Sequence, residues 1–364
     1  MKKITIIIAV LWCVCATCSH TTASAHIYSG RCPFSDSDGM RAPETTTGQP
    51  ISIIFDTDIG NDVDDALAMD MLYKYADNGN FKILGILTNK DTKYAPEFVD
   101  IMNTWYGYPR IPIGKISNGV TIDDYVNYAE KVCHLEDVYG KPMFRRTLKS
   151  YSRLLPSHEL YRKLLASQPD SSVVIISVGF FTNLARLLES EADRYSGLNG
   201  IQLIAKKVKY ISLMAGDFVE NPRAEFNVVN DIPAAQKVFA ECPSDIVVSP
   251  FEVGKAIRFP ATVILNDCNF GMPHPMVQAY LNYRPMPYDR QTWDLTSVLY
   301  VTHPEMFTIS GCGTITVTGD GHTAFSEGSA GRHRILSVTK EQADNIKAYF
   351  IKLITSRPIS LRDR

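Results

Sequence analysis

The sequence has few of the features that mark nucleic-acid-binding, membrane-spanning or thiol-dependent proteins. Its 37 basic and 39 acidic residues give a formal net charge of −2 over 364 residues. A balance this close to neutral provides no basic surface for a nucleic-acid polymer and no polybasic face for a membrane. Three of the eight cysteines lie in the N-terminal apolar segment, and the other five include no C-x-x-C pair, so no metal or dithiol redox motif is indicated. These absences leave a small molecule as the expected partner.

The apolar run near the N terminus is too short to span a membrane. Residues 4–14 follow two lysines and fall well below the about 20 apolar residues that a spanning helix needs. Small residues at 23–25 complete the pattern of a signal peptide, residues 1–25, cleaved after Ala25. We therefore expect an exported protein, periplasmic or secreted, without a transmembrane helix. A lipoprotein modified at Cys18 is the weaker alternative.

Beyond the signal peptide, the chain divides into a polar leader and one large domain. Residues 26–49 are rich in Gly, Ser, Thr and Pro and predict a disordered leader. Residues 50–358 contain no internal repeat and no obvious linker. The composition, 45% apolar and 21% charged, is that of a globular protein. The cysteines after residue 25 are scattered, and we interpret most of them as small buried apolar side chains.

Several short apolar runs rich in β-branched residues are continuous rather than alternating, as in strands buried on both faces of a parallel sheet. They cover residues 51–55, 82–88, 172–178, 209–214 and 245–249. Helical patterns lie between and after them, at 65–76, 94–106, 181–190, 232–241, 293–302 and 340–354. This order predicts an α/β fold, a Rossmann-like, open, mostly parallel sheet flanked by helices. An alternating pattern around Gly-Asp-Gly, at 314–325, predicts a small antiparallel edge.

The least regular part of the domain is the segment 107–157, which contains four prolines. A long insertion of this kind is often a lid over a binding site. One or two helices packed on the outside of the domain are at least as consistent with its sequence.

Five aspartates lie within ten residues directly after the first predicted strand, in the segment DTDIGNDVDD, residues 56–65. Carboxylates this close repel one another, and each one buried costs free energy. The dipole of the following helix stabilises negative charge by up to about 1 kcal/mol, which is too little for five carboxylates. A bound cation would stabilise them, and oxygen ligands without His or Cys favour Ca²⁺ or Mg²⁺ over zinc.

Generic acidic motifs explain the segment less well. An EF-hand loop that started at Asp56 would need Glu where Leu67 stands. The D-x-D signature of aspartyl-phosphate phosphatases needs Thr or Val where Ile59 stands, and its second acidic cluster comes late in the chain. A solvated acidic turn would suit two aspartates, but not five behind a buried strand.

The segment resembles the N-terminal signature D-x-D-x-G-x-D-D-A of the inosine–uridine-preferring nucleoside hydrolases. Three further segments are similar to motifs of that family and occur in the same order: SVGFFTNLARLL (177–188), RAEFNVVNDIPAA (223–235) and TWDLTSVLY (292–300). The resemblance covers about residues 50–355. It implies the nucleoside hydrolase fold and Ca²⁺-dependent hydrolysis of the N-glycosidic bond of a ribonucleoside or related ribosyl compound.

The resemblance also implies roles for the matching polar residues. The Ca²⁺ ligands would be Asp58, Asp65, the backbone carbonyl of Thr182 and Asp294. Asp58 would also be the general base for the water that attacks C1′. The ribose hydroxyls would be bound by Asp64, Glu225, Asn227 and Asp294. Asp56 would support the metal ligands from behind. Glu225 and Asn227 are two residues apart, so an extended segment would present both to one face.

Two departures from the family pattern concern the end of the predicted site that meets the leaving base. The segment between Asp58 and Asp64 is two residues longer than in the family signature, and Asp62 has no assigned task. Trp293 stands where the family has a His that protonates the leaving base. An indole can stack on a ring but cannot usefully donate that proton. A Ca²⁺- and sugar-binding protein with altered catalysis is therefore the alternative, and either protein could form a homo-oligomer.

Overall fold

The computed structural model describes residues 49–122 and 127–361. The predicted signal peptide lies outside the described residues, and so does the predicted leader apart from Gln49. Export and cleavage after Ala25 therefore stay predictions. No helix in the two described ranges is both long enough and apolar enough to cross a membrane.

Strands and helices alternate along most of the described chain. The strands are β1 (Ile51–Thr57), β2 (Phe81–Thr88), β3 (Ile113–Gly114), β4 (Val173–Ser177), β5 (Val208–Met214), β6 (Ile246–Ser249), β7 (Arg258–Phe259), β8 (Arg290–Gln291), β9 (Thr308–Ile309), β10 (Gly313–Val317), β11 (Thr323–Glu327) and β12 (His333–Ser337). The helices are α1 (Asp64–Asp77), α2 (Tyr94–Trp105), α3 (Tyr128–Cys133), α4 (Ser157–Ala166), α5 (Thr182–Glu189), α6 (Gly200–Lys207), α7 (Phe226–Val229), α8 (Ile232–Glu241), α9 (Phe251–Ala256), α10 (Ala261–Asn266), α11 (Pro275–Tyr283), α12 (Trp293–Thr302) and α13 (Lys340–Ile354).

Ten strands of the described chain form one sheet in the order β11-β10-β12-β6-β5-β4-β1-β2-β3, with β9 also paired to β12. From β3 to β12 every neighbouring pair is parallel, whereas β9, β10 and β11 pair antiparallel at the other edge. A separate antiparallel pair joins β7 to β8. The predicted α/β fold, a mostly parallel sheet with a small antiparallel edge, is confirmed.

Helices cover both faces of the sheet because its central strands are apolar on both faces. In β1, Ile53 and Phe55 belong to one hydrophobic layer, whereas Ile54 belongs to the other. Successive side chains of a strand point to opposite faces, so a continuous apolar run needs both faces covered. The first layer packs α1, α2, α11, α12 and α13 on the sheet, and the second packs α4, α5, α6 and α8.

The described part of the segment 107–157 contains the short strand β3 and the short helix α3. Asn127 caps α3 by accepting a hydrogen bond from the Glu130 amide at 3.2 Å. The helix buries Tyr128 and Val132 and packs against α2 and α11. This placement agrees with the expectation of a helix packed on the outside of the domain.

The carboxyl ends of the parallel strands lie at one edge of the sheet. Ligands of open α/β sheets bind beyond this edge. The loops that leave it begin with Asp58 after β1, Val178 after β4, Ala215 after β5 and Pro250 after β6. The aspartate-rich segment therefore lies where a ligand site is expected.

Candidate active site

A cavity of about 330 Å³ opens at this edge of the sheet. It is at the lower end of the size range of small-molecule sites, about 300–1,000 Å³. Carboxylates, aromatic rings and two arginines dominate its surface. The residues that line it are Asp58, Asn61, Asp62, Asp64, Asp65, Val178, Met214, Arg223, Ala224, Glu225, Phe226, Asn227, Val229, Phe251, Arg290, Trp293 and Asp294.

Four buried carboxylates, none more than 5% exposed, form the floor of the cavity. Asp64 and Asp65 begin α1, and Asp294 lies in the first turn of α12. These three side chains each present a carboxylate oxygen, and the three oxygens lie within 4.8 Å of one another. Asp58 lies in the loop after β1 and is held by Asn61, whose Nδ2 donates to Asp58 Oδ2 at 2.6 Å. The structure thus brings together all four aspartates that the sequence assigned to the metal and the ribose.

Burial and mutual repulsion change the acidity of these groups. Burial raises the pKa of Asp58 to about 6, although the hydrogen bond from Asn61 opposes the rise. Burial, together with the charges of neighbouring aspartates, holds the pKa of Asp64, Asp65 and Asp294 well above the ordinary value. The carboxyls of Asp65 and Asp294 are within hydrogen-bonding reach of each other. A cation bound among the four would relieve their repulsion.

The donors on the floor fit a hard divalent cation. Every converging side chain offers oxygen, and oxygen ligands favour Ca²⁺ or Mg²⁺. Hydrogen bonds already orient two of the carboxylates that could bind the metal. The Thr57 hydroxyl donates to Asp65, and the Asp294 amide donates to Asp64 Oδ2 at 3.1 Å. The buried aspartate cluster is therefore a chemically suitable site for a divalent metal.

Glu225 and Asn227 both line the cavity, but not through an extended segment as predicted. Glu225 is the N-cap of α7, and its carboxylate accepts from the Asn227 amide at 3.0 Å and the Gly216 amide at 3.1 Å. The Asn227 side-chain amide donates to the carbonyls of Val178 and Met214. A capped helical turn, rather than strand alternation, brings the two side chains to the site, because Glu225 satisfies the free amides of that turn.

Asp56 lies behind the floor and does not line the cavity. Its fully buried carboxylate accepts hydrogen bonds from Asn89 Nδ2, Asn183 Nδ2 and the Tyr161 hydroxyl, each at 2.9 Å. Burial raises the pKa of Asp56 to about 7 in spite of these bonds. Asp56 joins β1 to the loop after β2, to α4 and to α5, which is the position that a supporting residue would occupy.

The structure does not bring Thr182 to the cavity. Thr182 is the first residue of α5, and its hydroxyl donates to Asp231 Oδ2 at 2.6 Å. The residue of this segment that lines the cavity is Val178, directly after β4. The predicted Thr182 carbonyl ligand therefore does not agree with the fold. The reason is that the chain passes the cavity at the strand end, before the helix that contains the recognisable Thr-Asn pair begins.

Trp293 lines the cavity beside Asp294. Its ring stacks on Phe251, with centroids 5.3 Å apart and an interplanar angle of 27°. Its Nε1 donates to the Phe251 carbonyl at 2.9 Å. Gly254 permits this close fit, because a Cβ at that position would come within 2.4 Å of the Trp293 Cα and Cδ1 atoms. Trp293 therefore offers a ligand the surface of its ring, while its N–H is used within the protein.

Asp62, which the sequence left without a task, pairs with Arg290 at the cavity. Arg290 Nε donates to Asp62 Oδ1 at 2.7 Å, and Nη2 donates to Asp62 Oδ2. The guanidinium lies 5.1 Å from the Trp293 ring centroid and 5.3 Å from that of Tyr283. Burial lowers the pKa of Arg290 to about 10, so it remains charged at neutral pH. No motif indicated Arg290, and the unassigned Asp62 was the only signal that could have pointed to a partner.

Among the described residues that line the cavity, none is a His, Cys, Lys or Tyr. His322 and His333, at the antiparallel edge, do not reach it, and His333 accepts a hydrogen bond from the Ile315 amide. The described part of the segment 107–157 contributes no residue to the lining of the cavity.

Solved structures and a family model provide comparisons for this architecture. The model for "Inosine-uridine preferring nucleoside hydrolase" matches residues 53–349. A plant nucleoside hydrolase, PpNRh1, is similar with a TM-score of 0.64 and 18% identity, covering 85% of this chain and 100% of that one. An inosine-uridine preferring nucleoside hydrolase from Bacillus anthracis has a TM-score of 0.61 and 18% identity, covering 83% and 99%.

A protein described as an effector has the same fold. The type III effector protein XopQ, solved in complex with adenosine diphosphate ribose, has a TM-score of 0.58 and 13% identity, covering 86% of this chain and 96% of that one. No curated protein matches the sequence significantly. Identities this low show the fold alone, whereas the family model matches most of the sequence and spans the segments that build the cavity. The chain therefore belongs to the inosine-uridine preferring nucleoside hydrolase family and is a hydrolase that acts on N-glycosyl compounds.

Proposed function

We propose that this protein hydrolyses the N-glycosidic bond of a ribonucleoside, or of a related ribosyl compound, with a bound Ca²⁺. The observation that supports this most directly is the convergence of four buried carboxylates on one cavity that also contains Glu225 and Asn227. A sugar polyol needs several acceptors at fixed positions, and the cavity provides them.

Asp58 is the proposed general base. It lines the cavity, and Asn61 fixes the orientation of its carboxylate. The Asp58 carboxylate can accept the proton of a water that a neighbouring cation makes more acidic. The attacking water gives its proton to Asp58 as its oxygen bonds to C1′. The other carboxylates stabilise the positive charge that develops on the ribosyl ring.

The ribose hydroxyls would be bound by Asp64, Glu225, Asn227 and Asp294. Two backbone carbonyls hold the Asn227 amide group and so fix the direction of its side-chain oxygen. Trp293 would lie against the base, since its ring is exposed to the cavity and its N–H is not.

The family uses a divalent metal, and we assign the ion to the aspartate floor. Asp65 and Asp294 belong both to the predicted ligand set and to the observed cluster, which also contains Asp64. Asp58 lines the same cavity. The Val178 carbonyl replaces that of Thr182 in our proposed set, because Val178 lines the cavity. When bound, a divalent cation lowers the pKa of water and so favours attack near neutral pH.

The proposal is tested by measuring reducing-sugar release from a panel of nucleosides, with and without Ca²⁺. Wild type should release ribose, EDTA should abolish release, and Ca²⁺ should restore it better than Mg²⁺. The Asp58→Asn variant should lose activity by a factor of about 10² to 10⁴. Release that is unaffected by Asp58→Asn would rule out the proposed base.

A second candidate is a Ca²⁺- and sugar-binding protein that does not turn its ligand over. Among the described residues that line the cavity there is no His, Tyr, Lys or Cys to protonate a leaving base, which favours this alternative. The complex of XopQ with adenosine diphosphate ribose shows that a protein of this fold can be captured with an intact ribosyl compound. Calorimetric binding of ribose, together with no sugar release from any substrate, would support it.

A further inference from the structure

Four side chains form a continuous row along the wall of the cavity: Arg223, Phe251, Trp293 and Arg290. The Arg223 guanidinium lies 4.1 Å from the Phe251 ring centroid. Phe251 stacks on Trp293, and the Arg290 guanidinium lies over the other ring of this pair. Trp293 stands where the family resemblance places the proton donor to the leaving base. The row therefore forms the part of the cavity that would face that base.

Most N–H donors of this cavity are already used within the protein. Trp293 Nε1 donates to a backbone carbonyl, and the amides of Asn61 and Asn227 donate to protein oxygens. Arg290 donates through Nε and Nη2 to Asp62, and through Nη1 to Gln291 Oε1 at 3.3 Å. A guanidinium has five N–H groups, so its bonds to the described residues leave one N–H on each Nη of Arg290.

The Arg290 head group is held firmly in place. The Asp62 carboxylate accepts two parallel hydrogen bonds from Arg290, which fix both the position and the plane of the guanidinium. The backbone is held as well, because Arg290 lies on β8, which pairs with β7. Its side chain is only 12% exposed and lies against Trp293 and Tyr283. A hydrogen-bond donor held in this way needs little reorientation when negative charge develops nearby, so the free-energy cost of reorganisation is small.

We propose that Arg290 is the hydrogen-bond donor that stabilises the leaving base, and that Asp62 is its positioning residue. This inference rests on the proposed hydrolysis. The C1′–N bond breaks with its electron pair moving to the base nitrogen, while the water oxygen bonds to C1′ and Asp58 takes the water proton. The base leaves as an anion that accepts hydrogen bonds from the N–H groups of Arg290, and solvent protonates it after release. Arg290 keeps its own proton throughout.

The proposal gives a substrate rule. A purine or pyrimidine is a poor leaving group as an anion, so its departure depends on Arg290. A 4-nitrophenolate is stable as an anion and should depend on Arg290 only weakly. A rate loss that is larger for nucleosides than for the nitrophenyl riboside therefore indicates that the hydrogen-bond donor to the base is missing. A defect in folding or in ribose binding would slow both kinds of substrate.

Arg223 provides a matched control at the other end of the same row. It also lies over an aromatic ring and lines the cavity, but its side chain is 56% exposed and contacts Asp217 only at 3.4 Å. Arg223 lacks the bidentate hydrogen bonding and the burial that Arg290 has. Arg223 is therefore expected to have no specific effect on the leaving base.

The test compares kcat for inosine, uridine and 4-nitrophenyl β-ribofuranoside in the Ca²⁺-loaded protein. Arg290→Met should lower kcat on the nucleosides by about 10² to 10³-fold, the usual cost of one such donor. It should lower kcat on the nitrophenyl riboside by less than about fivefold. Arg223→Met should change all three substrates by the same factor.

Asp62→Asn should reduce nucleoside turnover by a smaller factor with the same substrate selectivity. The double variant Asp62→Asn/Arg290→Met should be no slower than Arg290→Met alone, because Asp62 acts only through Arg290. Arg290→Lys, which keeps the charge and a compact group of N–H donors, should recover part of the nucleoside rate if the role is donation.

Several results would overturn the assignment. Equal losses on nucleosides and the nitrophenyl riboside in a folded Arg290→Met variant would mean that Arg290 only supports the structure. A selective loss in Arg223→Met, but not in Arg290→Met, would transfer the role to Arg223. If Arg290→Met shows no thermal transition, Arg290→Gln takes its place in the same comparison.

Wild-type protein that cleaves the nitrophenyl riboside but neither nucleoside would refute the role of Arg290, whereas the proposed ribosyl hydrolysis would still hold. Wild type that cleaves nothing would refute both.

Discussion

Two groups of buried charges lie on the same helix, α1, and they are built in opposite ways. At its first turn, Asp64 and Asp65 face other carboxylates, and both burial and repulsion hold their pKa well above the ordinary value. Further along the helix, Asp70 forms an ion pair with Lys74 at 2.8 Å and also accepts a hydrogen bond from the Tyr106 hydroxyl. All of these charged side chains are almost completely buried.

The difference separates two uses of a buried carboxylate. The Asp70–Lys74 pair is electrically complete within the protein, since Lys74 supplies the opposite charge and also donates to the Ile354 carbonyl. The aspartate floor has an excess of negative charge that a ligand can balance. We therefore expect the first group to stabilise the fold and the second to bind a ligand at some cost in stability.

The largest effect that would sharpen this contrast is the loss of activity in Asp294→Asn. Because Asp294 is assigned both to the metal and to the ribose, sugar release should fall by about 10² to 10⁴-fold. In EDTA the variant should be at least as stable as wild type, since one repelling carboxylate is gone. Activity assays and thermal denaturation in EDTA measure the two effects. Full activity in the variant, or a loss of stability in EDTA, would break the contrast.

The next effect is a loss of stability in Asp70→Asn. Removing one partner of a buried ion pair leaves Lys74 uncompensated and typically costs about 3–5 kcal/mol. Urea unfolding should show this decrease, while kcat per folded molecule stays within about twofold of wild type. The double variant Asp70→Asn/Lys74→Met should recover part of the loss, because no unpaired charge remains. A double variant as unstable as the single one would show that the pair itself is not the cause.

Ca²⁺ should stabilise the protein by binding to the aspartate floor, and the Asp70–Lys74 pair should not contribute to this stabilisation. At 100 times its dissociation constant, a ligand that binds only the folded state adds about 2.7 kcal/mol. Thermal unfolding with and without Ca²⁺ should show this gain in wild type and in Asp70→Asn, and little of it in Asp65→Asn. An undiminished gain in Asp65→Asn would place the ion elsewhere.

The smallest effect concerns His333, a buried group that accepts a hydrogen bond but has no countercharge among the described residues. Burial lowers its pKa to about 4, whereas the unfolded value is about 6.5. The unfolded state therefore binds more protons between these values, and the stability contributed by His333 falls as the pH falls through this range. At pH 5 the loss relative to pH 7 amounts to about 2 kcal/mol.

The matched variant is His333→Gln, whose side-chain oxygen can still accept the hydrogen bond that the Ile315 amide donates at 2.8 Å. Unfolding free energies at pH 7 and pH 5 should differ less in the variant than in wild type. Equal pH dependence in the two proteins would contradict the assignment, because the carboxylates of the floor titrate in both.

The central fold was predictable because its physical cause is local. Strands β1, β2, β4, β5 and β6 are continuous apolar runs, which only a two-faced parallel sheet buries well. Helices α9 and α10 were not predicted, since each has six residues and begins next to a proline, so neither shows a full helical period. Sequence periodicity needs length, and these elements do not have it.

The site was predictable only where side chains carry a recognisable pattern. Asp58, Asp64 and Asp65 follow one strand, but only the family resemblance could join them to Asp294, far away in the chain. Val178, whose carbonyl we propose as a ligand, escaped notice because a backbone group leaves no trace in the residue type. Arg290 was missed because its partner, Asp62, is 228 residues away and a single arginine forms no motif.

The contact between Gly254 and Trp293 limits how this enzyme could have diverged. A histidine at position 293 would leave the Phe251 carbonyl without its present donor and would open a gap over the bare Cα of Gly254. A side chain at position 254, in turn, would collide with the indole. The two positions are therefore expected to change together along a lineage. Restoring the family's histidine in the laboratory will require a combined library at positions 251, 254 and 293 rather than a single substitution.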